Sequence, residues 1–129
     1  MCPCKVSPMP LSAQTPPGVS PTSVIASRRY ERAARRLLST DTRAAAEAVI
    51  AARPDAWPVI QGTGGARKAR IGLPGRGKSG GARVIYFFSV TPSVVAFLDI
   101  YAKNAKEDLT AADKQDIRAA IAEIRAALR

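Results

Sequence analysis

The chain has 129 residues and carries 20 Lys and Arg against 10 Asp and Glu, a net charge of +10 with a pI near 10.5. That length holds one ordinary domain, and so positive a balance points to a polyanionic partner: nucleic acid first, then an acidic protein or an anionic membrane. No apolar run reaches the roughly 18 residues of a membrane helix, no histidine exists to serve as base or metal ligand, and Cys2 and Cys4 alone cannot staple a domain.

Residues 1–23 hold six of the ten prolines, among Ser, Thr and small residues without period. They are expected to be disordered or a non-native extension, ahead of a domain over residues 24–129. No apolar stretch there matches a secretory signal. Cys2-Pro3-Cys4 offers only two ligands, so no metal is expected.

Residues 27–38 predict a helix, with Tyr30, Ala33, Ala34, Leu37 and Leu38 on one stripe and five arginines crowding the other positions. The cap oxygens of Ser39 to Thr42 open a second, alanine-rich helix that Pro54 stops. Lys68-Ala69-Arg70-Ile71 alternates, placing a basic face opposite an apolar one. Residues 82–90 form the strongest strand, with Val84, Tyr86 and Phe88 on one face and Arg83, Ile85 and Phe87 on the other. After the Thr91-Pro92-Ser93 turn, residues 94–101 are apolar with little alternation, as at the centre of a sheet. So short a connection makes this strand pair antiparallel. A last helix from about Thr110 to Ala127 carries the stripe Ile117, Ile121, Ile124 and Leu128, with Thr110 and Asp113 as a capping pair. The order predicts an α+β fold: a small antiparallel sheet with helices against it.

Residues 72–79 spell GLPGRGKS, which satisfies the nucleotide-binding phosphate-loop pattern. The context argues against that use. A phosphate loop must run straight into a helix whose N-terminus holds the phosphates, whereas Gly80-Gly81 and a strand follow, so no nucleotide cofactor is expected. The charge is instead concentrated: residues 56–98 hold Arg67, Lys68, Arg70, Arg76, Lys78 and Arg83 and no acid at all, while residues 99–129 are neutral overall. Strands hold such side chains more rigidly than loops do, which suits a phosphate-binding groove.

The strings GKSGGARVIY and IYAKNAKEDLT, with RPDAW before them, resemble toxins of the RelE/ParE superfamily in its HigB-like branch. The resemblance spans nearly all of residues 24–128. It implies two N-terminal helices, a small curved antiparallel sheet and a C-terminal helix. It also implies a cytoplasmic toxin of a toxin–antitoxin system, a helix-turn-helix antitoxin as partner, and the ribosome and mRNA as targets, with no cofactor. RelE-like members cleave mRNA in the ribosomal decoding site; ParE-like members inhibit DNA gyrase instead, and an inactive antitoxin-binding homologue is the third possibility. Carried onto this chain, Arg83 matches the phosphate-clamping arginine and Lys68 and Arg70 the paired basic residues, Lys68 being the candidate base. Lys103 completes the catalytic set, while Arg67, Arg76, Lys78 and Lys106 would bind RNA or ribosome. Without histidine, such chemistry rests on Lys and Arg: crowded cations favour loss of a lysine proton, and Arg clamps phosphate with paired hydrogen bonds. The general acid is the weak point of the match, and Tyr101 is the substitute at hand.

Overall fold

The structure, a computed structural model, describes residues 23–73, 77–90, 92–106 and 108–128, the side chains of residues 73 and 77–80 excepted. The elements run β1 (Ser23–Ala26), α1 (Arg28–Leu37), α2 (Thr40–Ala52), β2 (Ala66–Leu73), β3 (Gly77–Ser89), β4 (Val94–Ala102) and α3 (Ala111–Ala127). Each helix starts where a hydroxyl takes up an orphan amide. Ser27, Ser39 and Thr110 accept from the backbone N–H of Tyr30, Thr42 and Asp113, contacts of about 1 kcal/mol each. At Thr110 the box is complete, because the Asp113 carboxylate accepts from the Thr110 amide at 3.0 Å.

The sheet order is β1-β4-β3-β2. Strands β2, β3 and β4 are antiparallel, as the short connections require, but β1 lies parallel to β4, from Ser23 beside Val94 to Ala26 beside Phe97. The sheet is therefore mixed rather than wholly antiparallel. All four β1 residues are exposed and show no alternation, so periodicity carries no trace of this strand. Ser27 ends β1 and starts α1 at once: its amide donates to the Phe97 carbonyl at 2.9 Å and its hydroxyl to the Leu98 carbonyl at 2.9 Å. Beyond that point, among the described residues, the outer edge of β4 has no neighbouring strand.

The sheet is covered on both faces. Tyr30 and Ala34 of α1 and Ala46 and Ile50 of α2 pack on Ala69, Ile71, Val84, Tyr86, Val95 and Phe97. Ile117 and Ile121 of α3 pack with Ala66, Ile85, Phe87, Ala96 and Leu98 on the other side. Every residue of β4 is buried, which explains its lack of alternation. The ladder slips at one point: Ile85 pairs with Asp99 and Tyr86 with Phe97, so Leu98 is an extra residue. After it, Ile100 joins the α1/α2 layer and Tyr101 the α3 layer.

The turn before β2 needs its glycines, since Gly62, Gly64 and Gly65 all have positive φ. Buried Thr63 closes this turn, donating to the Ile60 carbonyl at 2.7 Å and accepting from the Ala66 amide at 3.0 Å. Gly81 is required for another reason: a Cβ there would lie 2.0 Å from the Ile71 carbonyl oxygen of the adjacent strand. Of GLPGRGKS, Gly72-Leu73 end β2 and Gly77-Lys78-Ser79 begin β3, so a strand stands where a phosphate loop needs a helix N-terminus.

Candidate nucleic-acid interface

Strand register builds the candidate site. Arg70 pairs with Arg83, and Arg83 pairs with Tyr101, so one row crosses β2, β3 and β4. Adjacent strands lie about 4.8 Å apart, which puts the outer members of the row about 10 Å from each other. Lys68 stands one alternation away, paired with Ile85. By parity with Ala66, Ile85 and Phe87, these residues share the α3 face of the sheet. Lys103 extends the ladder by one rung, its amide donating to the Gly81 carbonyl at 3.0 Å.

The segment leading into α3 supplies carboxylates to this basic end. Lys68 Nζ lies 3.6 Å from Asp108. Lys106 Nζ is 2.5 Å from Asp113 and 5.2 Å from the centre of the Tyr101 ring, close enough for a cation–π contact. The Leu109 amide and, against a smaller desolvation penalty, Lys68 hold the Asp108 carboxyl below its ordinary range. Desolvation pushes Asp113 up, but Lys106, the Thr110 amide and Arg29 outweigh it and leave this carboxyl well below the usual values. Arg29, from α1, reaches past the end of β1 to bond Asp113 at 2.8 Å and the buried Asp99 at 3.1 Å. Arg83 is only 6% exposed and donates to the Ala82 carbonyl at 3.4 Å. Beside it, burial pushes the Tyr101 hydroxyl up to about 12, so it stays protonated near neutral pH. That hydroxyl is buried without a hydrogen-bond partner.

The family model of the RelE toxin of the RelE / RelB toxin-antitoxin system matches residues 22–129. The chain belongs to the RelE toxin family. This RelE-family protein is therefore a toxin of a toxin–antitoxin system, and the family implies an antitoxin as its partner. Among the described residues no helix is long and apolar enough to cross a membrane.

In this RelE-family toxin the structure brings Lys68, Arg70, Arg83 and Lys103 to one end of the sheet, with Lys106 beside them. Exposed Arg70 also rims an apolar cleft of about 290 Å³ between α2 and β2. Arg67 stands apart. It shares parity with Ala69 and Ile71, and its guanidinium donates to the carbonyls of Trp57 at 2.6 Å and Asp55 at 3.3 Å, fastening the loop before β2. Arg76 and the side chain of Lys78 lie outside the described residues, as do Cys2 and Cys4. Three participants gave little signal in the sequence. Asp99 reads as the end of an apolar run, Asp108 as an ordinary acid of a neutral C-terminal segment, and Asp113 as a helix cap with no sign of its ion pairs. The α1 arginines were visible as a crowd but had no assigned place.

Proposed function

We propose that this toxin is an endoribonuclease that cuts mRNA held in the ribosomal decoding site, by transesterification and without a cofactor. The reading rests on the Arg70–Arg83–Tyr101 row with Lys68 at one end of the sheet, and it is supported by family membership and the HigB-like strings around Arg83 and Lys103. Cleavage requires that the 2′-hydroxyl lose a proton, that the phosphorane charge be held, and that the 5′-oxygen gain a proton. Arg83 and Arg70, fixed cations on adjacent strands, would hold the phosphate. Lys68, turned away from Asp108, would take the 2′ proton. Tyr101 would give its proton to the departing 5′-oxygen, because an alkoxide is more basic than a phenolate. The incoming phosphate has to displace the Asp108 carboxylate from this corner, since two anions compete for the same cations.

The test is the 5′ ends of mRNA on ribosomes incubated with purified toxin. Cuts within codons should appear, and a Lys68→Ala, Arg83→Ala double variant should lose them by about 100-fold or more. Growth arrest with intact transcripts and DNA-damage signalling would replace this reading with gyrase inhibition. Unimpaired growth of cells producing the chain without antitoxin would leave an inactive antitoxin-binding homologue.

A further inference from the structure

A polar cavity of about 360 Å³ opens where α1 crosses the edge of β4 beyond β1. This lies at the small end of the roughly 300–1,000 Å³ range of ligand pockets. Its charged walls are Arg29, Arg32 and Arg36 from α1, Lys106 from the segment before α3, and Asp99. Ala33, Ile100 and Tyr101 complete the lining. Two of these cations are already committed: Arg29 bonds Asp99 and Asp113, and Lys106 bonds Asp113. Arg32 and Arg36 are different. Both are exposed, and among the described residues neither has a carboxylate at ion-pair distance. They stand four residues apart on α1, a spacing that stacks them on one helix face, where like charges repel. Two repelling guanidiniums over a walled cavity suit a shared anion.

A second observation points the same way. Tyr101 is 7% exposed and its hydroxyl is the one buried side-chain polar atom without a hydrogen-bond partner among the described residues. The same tyrosine is the third member of the Arg70–Arg83–Tyr101 row. It is thus the shared wall between the row on the sheet and the arginine cleft at the sheet's edge. A strand of RNA crossing the row would leave it over β4, where among the described residues no neighbouring strand blocks the edge, and meet Arg32 and Arg36 next.

We infer that the α1/β4 cleft is a binding site for a backbone phosphate of single-stranded RNA, one that flanks the phosphate held on the Arg70–Arg83 row. The inference rests on the nuclease reading for the direction of the strand, but not for the anion. Arg32 and Arg36 grip the phosphate oxygens with their forked donors. Arg29 and Lys106 are held in place by Asp99 and Asp113 and set the positive potential around it. The site takes any base, because it contacts backbone only.

The test uses the purified full chain and a labelled, 2′-O-methylated RNA of about 12 nucleotides, a length within known single-strand footprints. Anisotropy titrations are run over a series of salt concentrations. Arg32→Ala with Arg36→Ala should weaken binding about tenfold and make the log–log salt dependence shallower by about 0.7, the value of one single-strand phosphate. Arg28→Ala with Arg35→Ala removes the same charge from α1 outside the cleft and should change affinity less than twofold. Equal losses in the two double variants would overturn the inference, as would unchanged RNA binding with lost antitoxin binding, which would make the cleft an acidic-protein surface. Wild-type mRNA cleavage with an unaffected Arg32/Arg36 variant would refute the cleft alone. RNA held through Arg32 and Arg36 by a chain that leaves ribosomal mRNA intact would uphold the cleft and refute the nuclease. Thermal unfolding of both variants confirms that they remain folded.

Discussion

Replacing Asp113 by Ala removes the acid on which two cations and a helix start converge. Its carboxylate bonds Arg29 at 2.8 Å, Lys106 at 2.5 Å and the Thr110 amide at 3.0 Å. Arg29 and Lys106 are each about a third exposed, so each ion pair is worth about 0.5–1 kcal/mol after screening. The lost bond to the Thr110 amide adds about 0.5–1 kcal/mol, giving a destabilisation near 2 kcal/mol at neutral pH. The pH dependence has a definite sign. Desolvation opposes ionisation of Asp113, but Lys106, Thr110 and Arg29 overcome it and depress the folded-state value. A depressed carboxyl contributes its full stability above its unfolded value, about 3.9, and loses it as pH falls from there toward the folded value. Urea unfolding followed by far-UV circular dichroism should therefore separate wild type and variant by about 2 kcal/mol at pH 7 and nearly as much at pH 5, with the gap shrinking below about pH 4. Asp116, at 71% side-chain exposure, meets Arg29 only at 3.3 Å, and its alanine variant should cost under about 0.5 kcal/mol. A gap below that size for Asp113→Ala at pH 7, or one undiminished near pH 2.5, would refute the reasoning.

Gly81→Ala should destabilise the protein by about 2–3 kcal/mol, because the new Cβ collides with the Ile71 carbonyl and pries β2 from β3; thermal unfolding measures it, and RNA cleavage should fall with it. Tyr86→Phe removes the 2.6 Å bond from the phenol to the Pro54 carbonyl and should cost about 1 kcal/mol by the same measurement. Tyr101→Phe removes a hydroxyl that has no partner, so stability should hold or rise by up to about 1 kcal/mol while mRNA cleavage falls by about 100-fold; unchanged cleavage would show that the proton comes from elsewhere.

The order of helices and strands and both faces of β3 were legible because their residues follow clean periods. Val84 and Tyr86 sit in the α1/α2 layer and Ile85 and Phe87 in the α3 layer, as alternation requires. The Thr110–Asp113 cap was legible for the same local reason. Strand β1 was not, since four exposed residues held by β4, some 70 residues away in sequence, have no local signature. The basic row was legible only in part. Composition located the acid-free stretch, but alternation within a strand cannot show that Arg83 stands beside Tyr101, because register between strands is a tertiary property. The ion pairs of the carboxylates were invisible for a related reason: Asp99 and Asp113 meet at Arg29, and Asp108 meets Lys68, only when α1, the sheet and the start of α3 come together.

The extra residue at Leu98 sets two reading frames along β4. Before it, the even-numbered Ala96 and Leu98 face α3; after it, the odd-numbered Tyr101 does. Strict alternation of the same residues, with no extra residue in the ladder, would turn Tyr101 into the aromatic layer of Tyr30, Tyr86 and Phe97 and Ile100 toward the cations, whereas deleting Leu98 would leave both facing as they do. The strand's two halves thus answer to separate demands. The first can vary within apolar residues that suit the helices, while the second keeps a phenol beside arginines, and substitutions in one half leave the facing of the other untouched.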